Sequence, residues 1–188
     1  LVMSADGRLV LLGDAKNNRV INVWSLPNGT LTHTLDGHTA VVFAVAISQD
    51  GMLIASGGMD NTIMIWSSTD GALIHTLTGH TNIVSALVIS PDRQILASAS
   101  HDNTVKLWSL VDGTLIMTLA EHTDRVAYIH MSADGTHILS AGYDNTVKLW
   151  SLVDGTLITS IMGDSIGVMN MVVNPDMTRL VTRDGSSL

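Results

Sequence analysis

The chain of 188 residues carries 9 Lys and Arg against 17 Asp and Glu, a formal net charge of −8, and no cysteine. Its basic residues are scattered, so there is no cationic stripe to neutralise phosphates, and nucleic acid is excluded as a default partner. The apolar runs fall far short of the roughly 18 residues needed to span a bilayer, so no membrane partner is expected. Lack of cysteine rules out a disulfide framework and suits a reducing compartment; the expected location is cytoplasmic. The first residues lack the basic, apolar and small-residue order of a signal peptide. The chain opens on Leu1 rather than Met, which reads as a processed, excised or incompletely sequenced product.

In chain order, Ser4-Ala5-Asp6-Gly7 reads as a turn, Arg8–Leu12 as a short apolar strand, Asp14–Asn18 as a polar loop and Arg19–Trp24 as an alternating strand. Three regular units follow. In the first of these, strands are predicted at Val41–Ile47, Met52–Ser56, Thr62–Trp66 and Leu73–Leu77. In the next they fall at Ile83–Ile89, Gln94–Ser98, Thr104–Trp108 and Leu115–Leu119, and in the third at Val126–Met131, His137–Ser140, Thr146–Trp150 and Leu157–Ile161. Asp, Asn and Gly fill the gaps, the residues that tolerate left-handed and side-chain-bonded turn conformations. A last unit starts with strands at Ile166–Val173 and Thr178–Thr182 and ends before any tryptophan.

The units are copies of one another. Residues Asp102 to Ile116 return without a change at Asp144 to Ile158, and a looser copy runs from Asp60 to Ile74. Trp24, Trp66, Trp108 and Trp150 stand 42 residues apart. Repetition at such a period decides the architecture before any local pattern. Short β-branched runs with regular turn signals give an all-β fold. The first three strands of each unit are apolar on both faces, so both must be covered. Four-stranded antiparallel blades stacked radially meet that need and protect the strand edges. The predicted fold is therefore an open arc, a partial β-propeller of about four blades. Its units fall at about 1–35 (partial), 36–77, 78–119, 120–161 and 162–188 (partial).

At these residues the chain resembles the WD-repeat β-propellers. Gly37-His38 and Gly79-His80 match the family's Gly-His pair; Glu121-His122 keeps only the histidine; Trp-Ser replaces the terminal Trp-Asp in all four copies. The resemblance implies a structural hydrogen-bond tetrad in each full blade. The sets are His38, Ser56, Asp60 and Trp66; His80, Ser98, Asp102 and Trp108; and His122, Ser140, Asp144 and Trp150. A buried aspartate needs a partner, a buried indole N–H needs an acceptor, and histidine can bridge a carboxylate and a hydroxyl. The outer units depart from the pattern, with Asn18 near the first turn position and Asp164 where histidine is expected, so the end blades should be softer.

Other chemistry is weak. Three copies of one His-Asp-Ser trio argue against a nucleophilic site, which is needed once and requires an oxyanion hole. No Gly-x-Ser-x-Gly elbow is present. His38, His80 and His122 fall in different blades, while His33 and His75 read as solvated residues of outer strands. With no short-spaced His or Cys ligand pair, neither a metal nor another cofactor is expected.

The resemblance also implies a partner-binding face, formed by the loop before each first strand and the turn between second and third strands. By position it would carry Met59, His101 and Tyr143 just before the turn aspartates. Val41, Phe43, Ile83, Ser85 and Arg125 would enter the first strands. These positions vary while their neighbours repeat, and their types favour protein interfaces. The expected function is a non-catalytic scaffold binding a protein or peptide on one face of the propeller. The alternatives are a regulatory or sensor segment of a larger multidomain signalling protein and an enzyme with a site at the central channel. Self-association, or further blades completing the ring, is the expected fate of an open arc.

Overall fold

A computed structural model describes residues 2–4, 9–13, 19–26, 28–163, 168–174 and 179–184. Asn18 and Asp164, singled out above, lie outside them, as do the Asp14–Asn18 loop and the turn residues 5–8. Every regular element among the described residues is a strand. The first sheet contains β1 (Val2–Met3), β2 (Leu9–Gly13), β3 (Val20–Ser25) and β4 (Thr30–Asp36). The second contains β5 (Val42–Ile47), β6 (Leu53–Gly58), β7 (Ile63–Ser67) and β8 (Leu73–Leu77). The third is formed by β9 (Val84–Ile89), β10 (Ile95–Ser100), β11 (Val105–Ser109) and β12 (Leu115–Leu119). The fourth is formed by β13 (Val126–Met131), β14 (His137–Gly142), β15 (Thr146–Ser151) and β16 (Leu157–Met162). A two-stranded pair, β17 (Val168–Val173) and β18 (Leu180–Asp184), follows.

Each sheet is an antiparallel meander in strand order, and the first strands β1, β5, β9, β13 and β17 lie one beside the next. The architecture is a partial β-propeller of about four blades, as the repeat predicts. The second strands run two residues further than the sequence suggests, to Gly58, Ser100 and Gly142. The added residues stay paired with the first strand, as in Val42 opposite Gly58 and Val126 opposite Gly142. Local turn chemistry cannot reveal a pairing made with a strand on the other side.

The core lies between sheets. Trp66 packs with Ile21, Val23 and Leu35 of the first sheet, and Trp108 with Ile63, Ile65 and Leu77 of the second. Trp150 repeats the contact on Val105, Leu107 and Leu119 of the third. A register shift at each tryptophan, between Ile65 and Trp66, Leu107 and Trp108, and Leu149 and Trp150, sets the indole at the end of the ladder. Bulges re-aim a side chain in this way. Gly57 lies where two blades come close together, since a Cβ there would come within 2.8 Å of the Val84 Cβ.

His33 and His75 are not solvated as the outer-strand reading has it. Both are half-buried, each over a turn of the following sheet, beside Gly71 and Gly113 respectively. Their burial comes from the neighbouring blade, which their own strand does not reveal.

Candidate functional site

One chain of side-chain hydrogen bonds recurs once in each of the three central sheets. In the second sheet, Trp66 Nε1–H donates to Ser56 Oγ (2.9 Å). His38 Nε2 lies 2.8 Å from the same hydroxyl, and His38 Nδ1 lies 2.9 Å from Asp60 Oδ2. The third sheet repeats the chain through Trp108, Ser98, His80 and Asp102, at 2.8, 2.7 and 2.7 Å. The fourth does so through Trp150, Ser140, His122 and Asp144, at 2.8, 2.7 and 2.8 Å.

One proton arrangement satisfies every group. Each histidine is neutral and donates from Nδ1 to the carboxylate; the serine hydroxyl donates to Nε2 and accepts from the indole. This tautomer is assigned from the network itself. Burial is the largest influence on His122, with Lys148 adding to it, and together they hold its pKa below the ordinary 6.5 despite the adjacent Asp144 carboxylate. Burial also opposes ionisation of Asp60, Asp102 and Asp144, but hydrogen bonds from the histidine and the following threonine, with backbone N–H groups, outweigh it. All three carboxyls are held below the ordinary 3.8, Asp102 furthest.

Of the four donors to each carboxylate, sequence reasoning found only the histidine. Thr39, Thr81 and Thr123 donate their backbone N–H to the aspartates at 2.8, 3.1 and 3.0 Å. The hydroxyls of Thr62, Thr104 and Thr146 donate at 2.8, 2.7 and 2.8 Å. The signal was present: His-Thr recurs at 38–39, 80–81 and 122–123, and Asp-Asn-Thr at 60–62, 102–104 and 144–146. The asparagine between is in the left-handed region in each case, with φ of 66°, 70° and 62° at Asn61, Asn103 and Asn145. Asn is among the few residues that adopt it at low cost.

The arrangement resembles a Ser-His-Asp triad in its atoms but not in its access. Ser56, Ser98 and Ser140 are fully buried, and each hydroxyl is already shared between an indole and an imidazole. No substrate carbonyl can approach them.

Among its described residues, the first sheet does not repeat this chemistry. Across from Asn22 stands Leu12, the position that Ser56 holds opposite Met64 in the next sheet. Trp24 therefore has no hydroxyl to receive its N–H, and its Nε1 is buried without a hydrogen-bond partner among the described residues.

The network also ties down one end of the blades. The N–H groups of Met59, His101 and Tyr143 donate to the carbonyls of Val41, Ile83 and Arg125, at 2.8, 2.9 and 2.8 Å. Six of the eight positions expected on a partner-binding face are thus joined in this way. Phe43, Met59, Arg125 and Tyr143 are exposed; Val41, Ile83, Ser85 and His101 are half-buried. Phe43 and His101 meet edge to face across two blades, with ring centroids 6.1 Å apart. Burial first, and the Arg125 cation second, hold the His101 pKa below 6.5. Ser85 is committed elsewhere, since its hydroxyl donates to the Val126 carbonyl of the next sheet.

A family profile, the WD domain or G-beta repeat, matches residues 29–67, 71–109 and 113–151. This chain belongs to the WD-repeat family. Each matched WD repeat begins at the outer strand of one sheet and ends at the third strand of the next, so the covalent repeat straddles two blades. The chain is also 51% identical over 45 residues to the small ribosomal subunit protein RACK1y of Oryza sativa subsp. japonica. That stretch is 24% of this chain and 13% of the relative, little more than one WD repeat.

Two tests follow from the buried WD network. Asp102→Ala strands the N–H of Thr81, the hydroxyl of Thr104 and the His80 imidazole, and is expected to cost about 1–3 kcal/mol of folding stability. A denaturant midpoint equal to that of the parent would refute the assignment. The pH dependence has a definite sign. His122 takes up its proton more readily unfolded than folded, so stability is lost as pH falls below 6.5, with His101 and His130 shifted the same way by burial. The three aspartates add a second loss as pH falls below 3.8 towards their folded values. Melting temperature should decline in two stages on acidification, and His122→Gln should make the first stage shallower.

Proposed function

We propose that this WD-repeat chain is a non-catalytic scaffold that binds a protein or peptide on the face carrying Phe43, Met59, His101, Arg125 and Tyr143, in a cytoplasmic setting. The observation that carries the reading is the contrast between frame and surface. The residues that fix this end of each blade repeat, from the His-Thr pair to the Asp-Asn-Thr turn, while the residues displayed on it change from blade to blade. Met, His and Tyr occupy one displayed position; Val, Ile and Arg occupy another. A frame held by buried hydrogen bonds loses little freedom on binding, which raises affinity without extra contact area. Aromatic residues, Met and Arg are the types enriched at the core of protein interfaces.

Selection from a displayed peptide library is the direct test. Peptides enriched on the parent chain should lose at least about tenfold in affinity, about 1.4 kcal/mol, on Phe43→Ala combined with Arg125→Ala. They should keep it on Val111→Ser, at the opposite end of the blades. Equal binding by all three proteins, with unchanged circular dichroism, would remove the face from consideration.

A second reading rests on one position. Leu35, Leu77 and Leu119 are 2%, 2% and 3% exposed, each under the tryptophan of the following sheet. Ile161 holds the same place in the fourth sheet and is 52% exposed, beside Met162 at 77%. We propose that a further WD blade, supplied by a second copy of the chain, seats on this surface. Light scattering should then show a mass that rises with concentration, and Ile161→Asp should return it to that of a single chain near 20.0 kDa. A single-chain mass at all concentrations for the parent would dispose of the idea.

A further inference from the structure

The turn between third and fourth strands has a glycine in all four sheets, and the residue before it is an amide in the first and an acid in the other three. Asp70-Gly71, Asp112-Gly113 and Asp154-Gly155 recur in the second, third and fourth sheets; the first has Asn28-Gly29. Each of the three aspartates accepts the backbone N–H of the residue two places on, which is Ala72 for Asp70 (3.2 Å), and in the third and fourth sheets that residue is a threonine. The Thr114 hydroxyl donates to Asp112 at 2.8 Å and that of Thr156 to Asp154 at 2.9 Å, with their backbone N–H groups at 3.1 and 3.2 Å. The serine three residues before each aspartate, Ser67, Ser109 or Ser151, is the first cause of its lowered pKa. The first sheet has the same donors, Ser25 and Thr30, and the Thr30 hydroxyl already donates to Asn28 Oδ1 at 2.8 Å.

Access differs as well. A Cβ on Gly71 or Gly113 would meet the ring of His33 or His75 at 3.1 Å, and Gly155 is covered by Met117. Among the described residues nothing lies within 4 Å of the corresponding point on Gly29, and Asn28, Gly29 and Thr30 are all exposed. Gly29 also has a φ of 65° and no side chain to shield its nitrogen.

We propose that Asn28 is a site of spontaneous deamidation, and that its aspartate product is the residue this turn is built to hold. The Gly29 backbone nitrogen, after giving its proton to hydroxide or water, attacks Asn28 Cγ, whose carbonyl is polarised by the Thr30 hydroxyl. A C–N bond forms, the Cγ–Nδ2 bond breaks, and the nitrogen leaves as ammonia with a proton from solvent. Water then opens the succinimide at either carbonyl, giving aspartate or isoaspartate at position 28. The asparagines of the other turns are poor competitors. Asn61, Asn103 and Asn145 are each followed by a β-branched threonine, and the side-chain amides of Asn103 and Asn145 donate to the carbonyls of Thr123 and Gly163.

The test is peptide mapping by mass spectrometry of the folded full chain held at mildly alkaline pH. Asn28 should acquire the mass increment of amide-to-acid conversion at least about tenfold faster than Asn61, Asn103 or Asn145, a rate ratio that corresponds to a modest barrier difference. No conversion at Asn28, or earlier conversion at the other three, overturns the proposal. So does a glycan on Asn28, because Asn28-Gly29-Thr30 also has the acceptor pattern for glycosylation, which consumes the same amide. The Asn28→Asp variant tests the second half. A melting temperature equal to or above that of the parent supports a turn built for a carboxylate, and a lower one overturns it.

Discussion

A tryptophan on the third strand of each sheet has to satisfy two requirements at once, and the rest of the fold is arranged around both. Its ring must fill the gap to the preceding sheet, as Trp108 does among Ile63, Ile65 and Leu77. Its N–H must find an acceptor inside that gap, where an unpaired donor costs about 1–3 kcal/mol. The acceptor is a serine on the adjacent strand, directly across from the residue two places before the tryptophan: Ser98 opposite Lys106. That serine is fully buried, so its own proton must go inward too, and the histidine receives it. The imidazole then has one proton left to place, and only a carboxylate or a carbonyl can take it. Asp102 is what the chain supplies, and burial of the aspartate forces the turn around it to offer donors in return. Each residue of the network is thus a consequence of the one before.

The first sheet shows what happens when one link is replaced. With Leu12 in the serine's position that hydroxyl is missing, and the indole nitrogen is buried without a hydrogen-bond partner among the described residues. Trp24 is also only half-buried, where Trp66, Trp108 and Trp150 are 3%, 2% and 1% exposed.

Much of this was legible in the sequence, and what was not has a common cause. The period and the strands could be read because each rests on residue type at fixed spacing, and the three sets of His, Ser, Asp and Trp followed from the resemblance to the WD-repeat family. The threonines that complete the carboxylate's shell were overlooked although Asp-Asn-Thr and His-Thr repeat in register, since threonine in a turn has an ordinary reading as well. The ends of β6, β10 and β14, the burial of His33 and His75, and the commitment of Ser85 to Val126 could not be read at all. Each is decided by a partner on another strand or another blade, and one-dimensional spacing does not carry that information.

The same carboxylates connect stability to the displayed face. Asp60, Asp102 and Asp144 hold the loop before the first strand through Thr39, Thr81 and Thr123, and hold the turn after the second strand through Thr62, Thr104 and Thr146. Those two segments carry Val41 with Met59, Ile83 with His101, and Arg125 with Tyr143, already paired through their backbones. A blade can therefore change the side chains it displays without touching the bonds that position them. The converse does not hold: a change that loosens the buried aspartate frees both segments at once. If the face binds a partner as proposed, substitutions on it should alter which partner is bound, whereas substitutions in the network should alter stability and binding together, and that difference separates the two kinds of residue experimentally.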